Sequence, residues 1–249
     1  MRNIWAIVKK ELYIYFVSPI GYVVITIFLV LCGYFFYTNT LYFNLFTMGG
    51  GISLTEGVWQ FVFSDMRFVL FLTIPLLTMR LFAEEKKVGT IELLLTSPVK
   101  DVELVIGKFI APLFVFAIML ILTFLYPALL STVWGGTEIF PLLSGYVGIF
   151  LLGSAFISYG ILVSSLTENQ IIAAMGTFGF FVIMWFMMWN EAVSEPWLTN
   201  ILLRISLLDR TYNFFRGIID TKDVVFFLVI TVFFLFLTYC SLDSRRWRR

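Results

Sequence analysis

The sequence has 249 residues, of which 60% are hydrophobic and 13% charged, and its formal net charge is +1. Soluble domains average roughly 45–50% apolar and ~25% charged residues, so this composition excludes an ordinary soluble domain and indicates a membrane protein. The net charge points to no particular partner, and Cys32 and Cys240 both lie in apolar runs, which predicts no disulfide framework.

The first predicted element is an amphipathic helix ahead of the first long apolar run. Its apolar residues recur at helical spacing and form one stripe: Ile4, Ile7, Val8, Leu12 and Tyr15. The charged residues Lys9, Lys10 and Glu11 are displaced from that stripe. We expect this helix to lie along the inner membrane surface; the alternative is a cytoplasmic extension of the first membrane span.

Six apolar runs are then long enough to cross a bilayer as helices. They cover about residues 20–38, 61–82, 109–130, 142–165, 171–189 and 224–240. The sequence therefore predicts an all-α, polytopic membrane protein with six transmembrane helices in one domain over residues 1–249. Pro75, Pro112 and Pro127 are expected to kink the second and third spans.

The distribution of Lys and Arg predicts the orientation of these spans. With a cytoplasmic N-terminus, twelve of the 17 basic residues fall in cytoplasmic segments and five fall outside. Cytoplasmic connections of membrane proteins carry the excess of Lys and Arg. Both termini and the connection between the second and third spans are therefore predicted to be cytoplasmic.

Small residues cluster in the fourth and fifth spans, where they allow helices to pack closely. They are Gly148, Gly153, Ser154 and Ser158, followed by Ala173, Ala174, Gly176, Thr177 and Gly179. Two interpretations remain open: packing within the chain, or a dimer contact that involves the fifth span.

The connection between the second and third spans is rich in charge and contains residues typical of helix ends and helix starts. Gly89 and Thr90 are able to end one helix, with Gly89 at a positive φ, and Ser97 and Pro98 are able to start another as N-cap and first helical residue. Connections of 2–8 residues suffice between bundle helices, so a segment of this length with its own short helix favours a surface for a cytoplasmic partner over a plain loop.

The residues of this connection resemble a known family. The pattern Glu85-Lys86-x-x-Gly89-Thr90-x-Glu92-x-Leu94-Leu95-x-x-Pro98, followed by Gly107-Lys108-Phe109, is similar to the permease subunits of ABC-2 type ABC transporters, especially the gliding-motility-associated group. The likeness extends over nearly the whole chain and includes the turn Ser164 to Gln170 and the stretch Phe215 to Asp220.

The resemblance implies that residues 86–98, called the coupling segment below, form a coupling helix that docks on an ATP-binding subunit. The residues it implies for that contact are Glu85, Lys86, Gly89, Thr90, Glu92, Leu94, Leu95, Pro98 and, in the turn between the fourth and fifth spans, Glu168. It also implies a second permease chain, identical or related, and a place in the bacterial plasma (inner) membrane, in contact with lipid.

The chain is not predicted to bind ATP or to act as an enzyme. A phosphate-binding P-loop needs G-x-x-x-x-G-K-[ST]. The stretch that ends in Gly107 and Lys108 has Val102 in place of the first glycine and Phe109 in place of the hydroxyl residue. The sequence has no histidine and offers no catalytic, cofactor or metal site, so ATP and Mg²⁺ are expected on the partner subunit.

The connection before the last span carries three arginines at intervals of six residues: Arg204, Arg210 and Arg216. On a helix this spacing spreads them over three directions, so they form no basic stripe and nucleic-acid binding is unsupported. Contact with lipid headgroups and contact with an exported substrate remain the two interpretations.

The resulting hypothesis is the permease half of an ABC transporter, most simply an exporter that works by alternating access. One alternative is a membrane anchor or mechanical transducer that uses the same ATPase without moving a substrate. Another is an independent channel or secondary transporter, although no span carries a carboxylate near its middle to hold a coupling ion.

Overall fold

The computed structural model describes residues 2–47, 55–90, 100–134, 139–189 and 206–246. Every regular element within these ranges is helical, which confirms the predicted all-α fold. The helices are α1 (Arg2–Val17), α2 (Pro19–Thr47), α3 (Gln60–Thr78), α4 (Arg80–Val88), α5 (Asp101–Thr123), α6 (Leu125–Trp134), α7 (Ile139–Leu166), α8 (Gln170–Trp189), α9 (Leu207–Phe215) and α10 (Thr221–Arg246), with a π-helical turn at Thr55–Trp59 ahead of α3.

Five helical stretches in the described ranges are long and apolar enough to cross a membrane. They are Pro19–Leu45, Gly57–Val88, Asp101–Leu130, Ile139–Leu166 and Thr221–Ser244, and each contains one of the predicted spans. The remaining predicted span, 171–189, coincides with α8, whose described apolar part runs over Gln170–Phe186. The chain is thus a multi-pass membrane protein, and the count of six spans stays a prediction.

Helix α7 lies at the centre of the bundle, against α3, α5, α8, α9 and α10. Its glycines allow bulky neighbours to approach: a side chain on Gly148 would lie 2.6 Å from Cβ of Phe214, and one on Gly153 would overlap the ring of Phe116. The small residues of α7 therefore serve packing within the chain, whereas a dimer contact through α8 stays a prediction.

Helices α2 and α10 lie at the periphery. Only 22% of the most apolar part of α2 and 17% of that of α10 is buried, against 72% for α7. Apolar side chains such as Tyr34, Val232 and Phe236 remain exposed on them. Surfaces of this kind suit the hydrocarbon of a bilayer, where helix exteriors need no polar cover.

Single residues interrupt the helical structure at three places discussed here. Ser18 separates α1 from α2, so α1 is a helix of its own rather than an extension of the first span. Phe124 separates α5 from α6; Pro127 follows, and its ring clashes with a helical carbonyl four residues earlier, at Thr123, where α5 ends. The third break, at Met79, belongs to the candidate site.

The predicted helix start at Ser97 and Pro98 lies outside the described residues. Lys100 has an extended backbone, and α5 begins at Asp101, after a hydrogen bond of 3.3 Å from the Lys100 amide to the Glu103 carboxylate. A carboxylate at the third helical position that accepts from the amide of the N-cap residue is typical of helix starts.

The two ends of the bundle are marked by contacts between distant parts of the chain. At one end, Lys86 of α4 donates a hydrogen bond to the carbonyl oxygen of Ser165, close to the end of α7. The hydroxyl of Ser165 lies 3.4 Å from that of Ser241, near the end of α10. We call this the α4 end.

At the other end, Arg67 of α3 donates to the carbonyl oxygen of Leu208 in α9 at 2.9 Å. Arg210 of α9 pairs with Asp223 at the start of α10, also at 2.9 Å. We call this the α9 end. Helix α8 connects these two ends. It begins four residues after the end of α7, and the ring centre of Trp185 lies 5.9 Å from that of Phe68, the residue after Arg67.

Candidate coupling site

The candidate site is the α4 end of the bundle, and its central element is α4. This helix has only nine residues, fewer than an isolated helix needs for stability in water, where ~12–15 residues are marginal. It continues α3 through Met79, and its direction depends on its packing against α7 and α8 and on side chains from α1 and α5.

A serine from α7 caps the start of α4. The Ser164 hydroxyl oxygen accepts hydrogen bonds from the Phe82 and Ala83 amides, each at 3.1 Å, and the hydroxyl donates to the Met79 carbonyl oxygen at 3.0 Å. Amides in the first turn of a helix lack partners within the helix. Ser164 satisfies them from another span, and a side chain inserted at this point accounts for the break between α3 and α4.

The last turn of α4 is also held by α7. The Lys86 side chain is buried and donates to the Ser165 carbonyl oxygen, one of the acceptors left free at the end of α7. Glu168 follows three residues later in the exposed turn between α7 and α8. Lys86 thus belongs to the interior of the chain, and it brings the end of α4 close to the turn that carries Glu168.

On its opposite side α4 joins α1 and α5 through a cluster of four charges, called the charge cluster below: Lys10, Glu11, Glu85 and Lys108. The Lys108 ammonium group donates to Glu11 Oε1 at 2.8 Å and to the Leu81 carbonyl oxygen at 2.6 Å. Glu85 Oε2 lies 2.8 Å from the same nitrogen as an ion pair, without hydrogen-bond geometry. The Lys108 side chain is 1% exposed.

Lys10 completes the charge cluster from the solvent side. Its ammonium group lies 2.7 Å from Glu85 Oε1, and its side chain is half exposed. Burial lowers the pKa of Lys10, but the hydrogen bond and the negative charge of Glu85 outweigh burial, and the net effect raises the pKa. A raised lysine pKa means that this contact is fully formed at neutral pH and is lost only in strongly alkaline solution.

Further contacts hold α1 against α3, α4 and α5. The Tyr15 hydroxyl donates to the Leu77 carbonyl oxygen at 2.6 Å, and the Arg80 guanidinium lies 4.8 Å from the Tyr15 ring centre. A side chain on Gly107 would lie 2.8 Å from Ile7 Cγ2, so the two helices touch where α5 has no side chain. The predicted apolar stripe of α1 faces this contact, with Val8 and Tyr15 buried.

The predicted contact residues divide into three groups. Gly89 and Thr90 are exposed just beyond α4, and Gly89 has a φ of 78°, which confirms the predicted helix end. Glu85 and Lys86 are engaged within the chain. The others in this connection, Glu92, Leu94, Leu95 and Pro98, lie outside the described residues.

Two of the three arginines predicted on the outer face, Arg210 and Arg216, lie at the α9 end, apart from the candidate site. Arg210 pairs with Asp223 and stacks over the Phe226 ring at 3.9 Å. Arg216 lies 4.8 Å from the Tyr212 ring centre, and Arg204 is outside the described residues. Helix α9 itself was missed by the sequence analysis, although Ser206 caps it by accepting from the Asp209 amide, a spacing typical of helix starts.

Sequence reasoning also missed the residues that hold α4. Glu11 was placed away from the packed face of α1, but it is 5% exposed beside Lys108. Lys108 carried the signal, because a lysine inside an apolar stretch requires a partner. Which carboxylates meet it depends on how three separate helices pack, and spacing along the chain does not contain that information.

The arrangement offers a rigid frame with an exposed turn, and no chemistry of its own is evident. Among the described residues, no group of three Asp, Glu or Cys side chains is placed to hold a metal ion. The contacts of α4 extend as far as Lys86, and the coupling segment continues from there through the exposed Gly89 and Thr90. Such a geometry suits contact with a partner whose movement is to reach the spans.

Comparison with known proteins shows a family to which the chain is similar. The chain matches the family described as ABC-2 family transporter protein over residues 5–247, which is nearly its whole length. No curated protein matches the sequence.

Proposed function

The chain belongs to the ABC-2 family of transporter proteins, and from that membership we propose that a separate ATP-binding subunit drives it to export a substrate. As an ABC-2 permease, it is a multi-pass membrane subunit of an ABC transporter. In the proposal, the partner binds ATP and Mg²⁺, two permease chains form the membrane part, and the complex resides in the bacterial inner membrane among its lipids. The likeness to gliding-motility-associated permeases stays a prediction.

One observation carries the proposal that the coupling segment receives the partner. Contacts to α1, α5 and α7 hold α4 as far as Lys86, and the coupling segment continues through the exposed Gly89 and Thr90. A force applied beyond Gly89 would therefore act on three other helices at once. The exposed Glu168, next to the end of α7, lies on the same side and suits the rim of the same contact.

The proposed topology has six spans and two cytoplasmic termini. The sixth proposed crossing, α8, has 20 residues and extends over about 30 Å at 1.5 Å per residue, which matches the hydrocarbon thickness of a bilayer. Its connection of the α4 end to the α9 end supports a sixth crossing. The excess of Lys and Arg at the α4 end supports a cytoplasmic location for that end.

Substitution of Gly89 tests the role of the coupling segment. Nothing lies within 4 Å of a side chain added there, so the only demand is the positive φ. Gly89→Val should strain this turn by about 1–2 kcal/mol, whereas Gly89→Asn retains a residue that tolerates the left-handed region. With a co-expressed ATP-binding subunit, we expect Gly89→Val to reduce co-purification or permease-stimulated ATP hydrolysis, and Gly89→Asn to preserve both.

The permease alone should hydrolyse no ATP in the same assay. Equal behaviour of the valine and asparagine variants would remove the coupling role from this turn. Hydrolysis by the purified permease, with contaminating ATPases excluded, would contradict the division of labour between the two subunits.

A further inference from the structure

We propose that Lys108 is the positioning residue of the coupling segment: its buried ammonium group, held between Glu11 and Glu85, sets the direction in which α4 presents residues 86–98. The inference rests on the proposed function for the identity of the partner. It adds that α1 takes part in coupling, through a charge contact that the sequence pattern and the family membership leave unassigned.

The charge cluster is an unusual way to hold three helices together. Removing a lysine and two carboxylates from water is costly, and replacing buried ion pairs by apolar residues of similar size is often neutral or stabilising. Stability alone therefore does not account for four charges at this place. A charge contact differs from an apolar one in its directionality, because only one arrangement of the helices satisfies every partner.

Each helix contributes a group that the others need. Glu11 comes from α1, Glu85 and the Leu81 carbonyl oxygen come from α4, and Lys108 comes from α5. A rotation of α4 about its axis would withdraw Glu85 and leave the Lys108 charge buried with one carboxylate. The formal charges of the charge cluster sum to zero, so it has an internal balance that any displaced helix would break.

The charge cluster also lies close to the coupling segment, whose direction it is proposed to set. Glu85 lies four residues before Gly89, roughly one helical turn. Lys108 additionally lies 5.0 Å from the Phe82 ring centre, so it contacts α4 at its start, through Leu81 and Phe82, and again at Glu85. Contacts at both ends of one helical turn fix which face of α4 is turned toward α5.

The test separates positioning from stability with four variants. Lys108→Met removes the buried charge and leaves the half-exposed Lys10 as the remaining cation of the charge cluster beside Glu11 and Glu85. Lys108→Arg keeps the charge. The triple variant Glu11→Gln, Glu85→Gln, Lys108→Met removes every buried charge of the charge cluster. As a matched control, Lys9→Met removes an exposed charge from α1, the helix that carries Glu11.

Two measurements are made on each variant. The first uses the isolated permease with spin labels at Trp5→Cys on α1 and Glu84→Cys on α4, both exposed positions, in a Cys240→Ser background that leaves only the buried Cys32. It records the distance distribution between the labels, together with the thermal midpoint. The second records ATP hydrolysis by the co-expressed ATP-binding subunit, with and without permease.

We expect the parent, Lys108→Arg and Lys9→Met to show one narrow distance distribution and full stimulation of hydrolysis. Lys108→Met should broaden the distribution and lower the thermal midpoint. The triple variant should recover the midpoint but keep the broad distribution and lose stimulation by about fivefold or more, the scale of a typical coupling free energy between sites.

A triple variant with a narrow distribution overturns the inference, because the charges would then serve stability alone. So does a narrow distribution in Lys108→Met. If the parent permease fails to stimulate any ATP-binding subunit, the proposed function fails, but the label distances in the isolated chain still decide whether Lys108 positions α4.

Discussion

Ser164 shows how a single side chain decides the path of the chain at the α4 end. Its hydroxyl serves two amides and one carbonyl oxygen of another span, and it is fully buried. The sequence analysis included Ser164 only as part of a turn that resembles a family pattern. Its role as a cap follows from the approach of α7 to the break at Met79, which local sequence does not encode.

Removal of this hydroxyl should be costly. Ser164→Ala leaves the Phe82 and Ala83 amides without this acceptor, and a buried unsatisfied polar group costs about 1–3 kcal/mol. We expect a lower thermal midpoint in detergent for Ser164→Ala, and no shift for Ser244→Ala, where an exposed serine bonds within its own helix. Equal midpoints for the two variants would show that Ser164 does not hold α4.

Glu85 shows why a residue predicted for a partner contact needs its structural surroundings. From sequence, a charge reversal at Glu85 is expected to probe docking without disturbing the chain. Its carboxylate lies within 2.8 Å of both Lys10 and Lys108, so a lysine there would place a third cation in the charge cluster. Gly89 is the better probe of docking, because its surroundings are open.

Helix α1 is the element whose role changes most between sequence and structure. Its amphipathic pattern predicts a surface helix, and its apolar stripe is indeed the packed side. The pattern does not reveal what the stripe packs against, because an apolar stripe fits a membrane and a neighbouring helix equally well. The structure lays α1 against α5, with Gly107 at the point of closest approach to Ile7.

A side chain at Gly107 should push α1 away. Gly107→Ala forces Ile7 to move, and overpacking of this kind costs about 1–3 kcal/mol. We expect a lower thermal midpoint and faster proteolysis within α1, with partial recovery when Ile7→Ala is added. Gly179→Ala in α8 is the control, since nothing lies within 4 Å there and alanine is the better helix former. A neutral Gly107→Ala would mean that α1 is not packed against α5.

At the scale of the whole molecule, the apolar runs predict the helices well because the bilayer imposes their length and character. Each of the five membrane-length stretches contains a predicted span. What joins them is harder to predict. The break at Met79 and the charge cluster depend on contacts between helices, which short-range patterns describe poorly.

The two ends of the bundle carry different groups, and this difference supports the proposed function. The α4 end carries the charge cluster, the exposed turn at Gly89 and the turn with Glu168. The α9 end carries Arg210 and its partner Asp223. A subunit that drives transport from one side of the membrane should contact only the first of these ends.

The most direct test is site-specific photo-crosslinking in the assembled complex. A photoreactive residue is placed at Thr90, at Glu168 or, as control, at the exposed Tyr212 of the α9 end. The proposal predicts light-dependent adducts with the ATP-binding subunit from Thr90 and Glu168, and none from Tyr212. Adducts from Tyr212, or none from Thr90 and Glu168 in a complex that hydrolyses ATP, would contradict it.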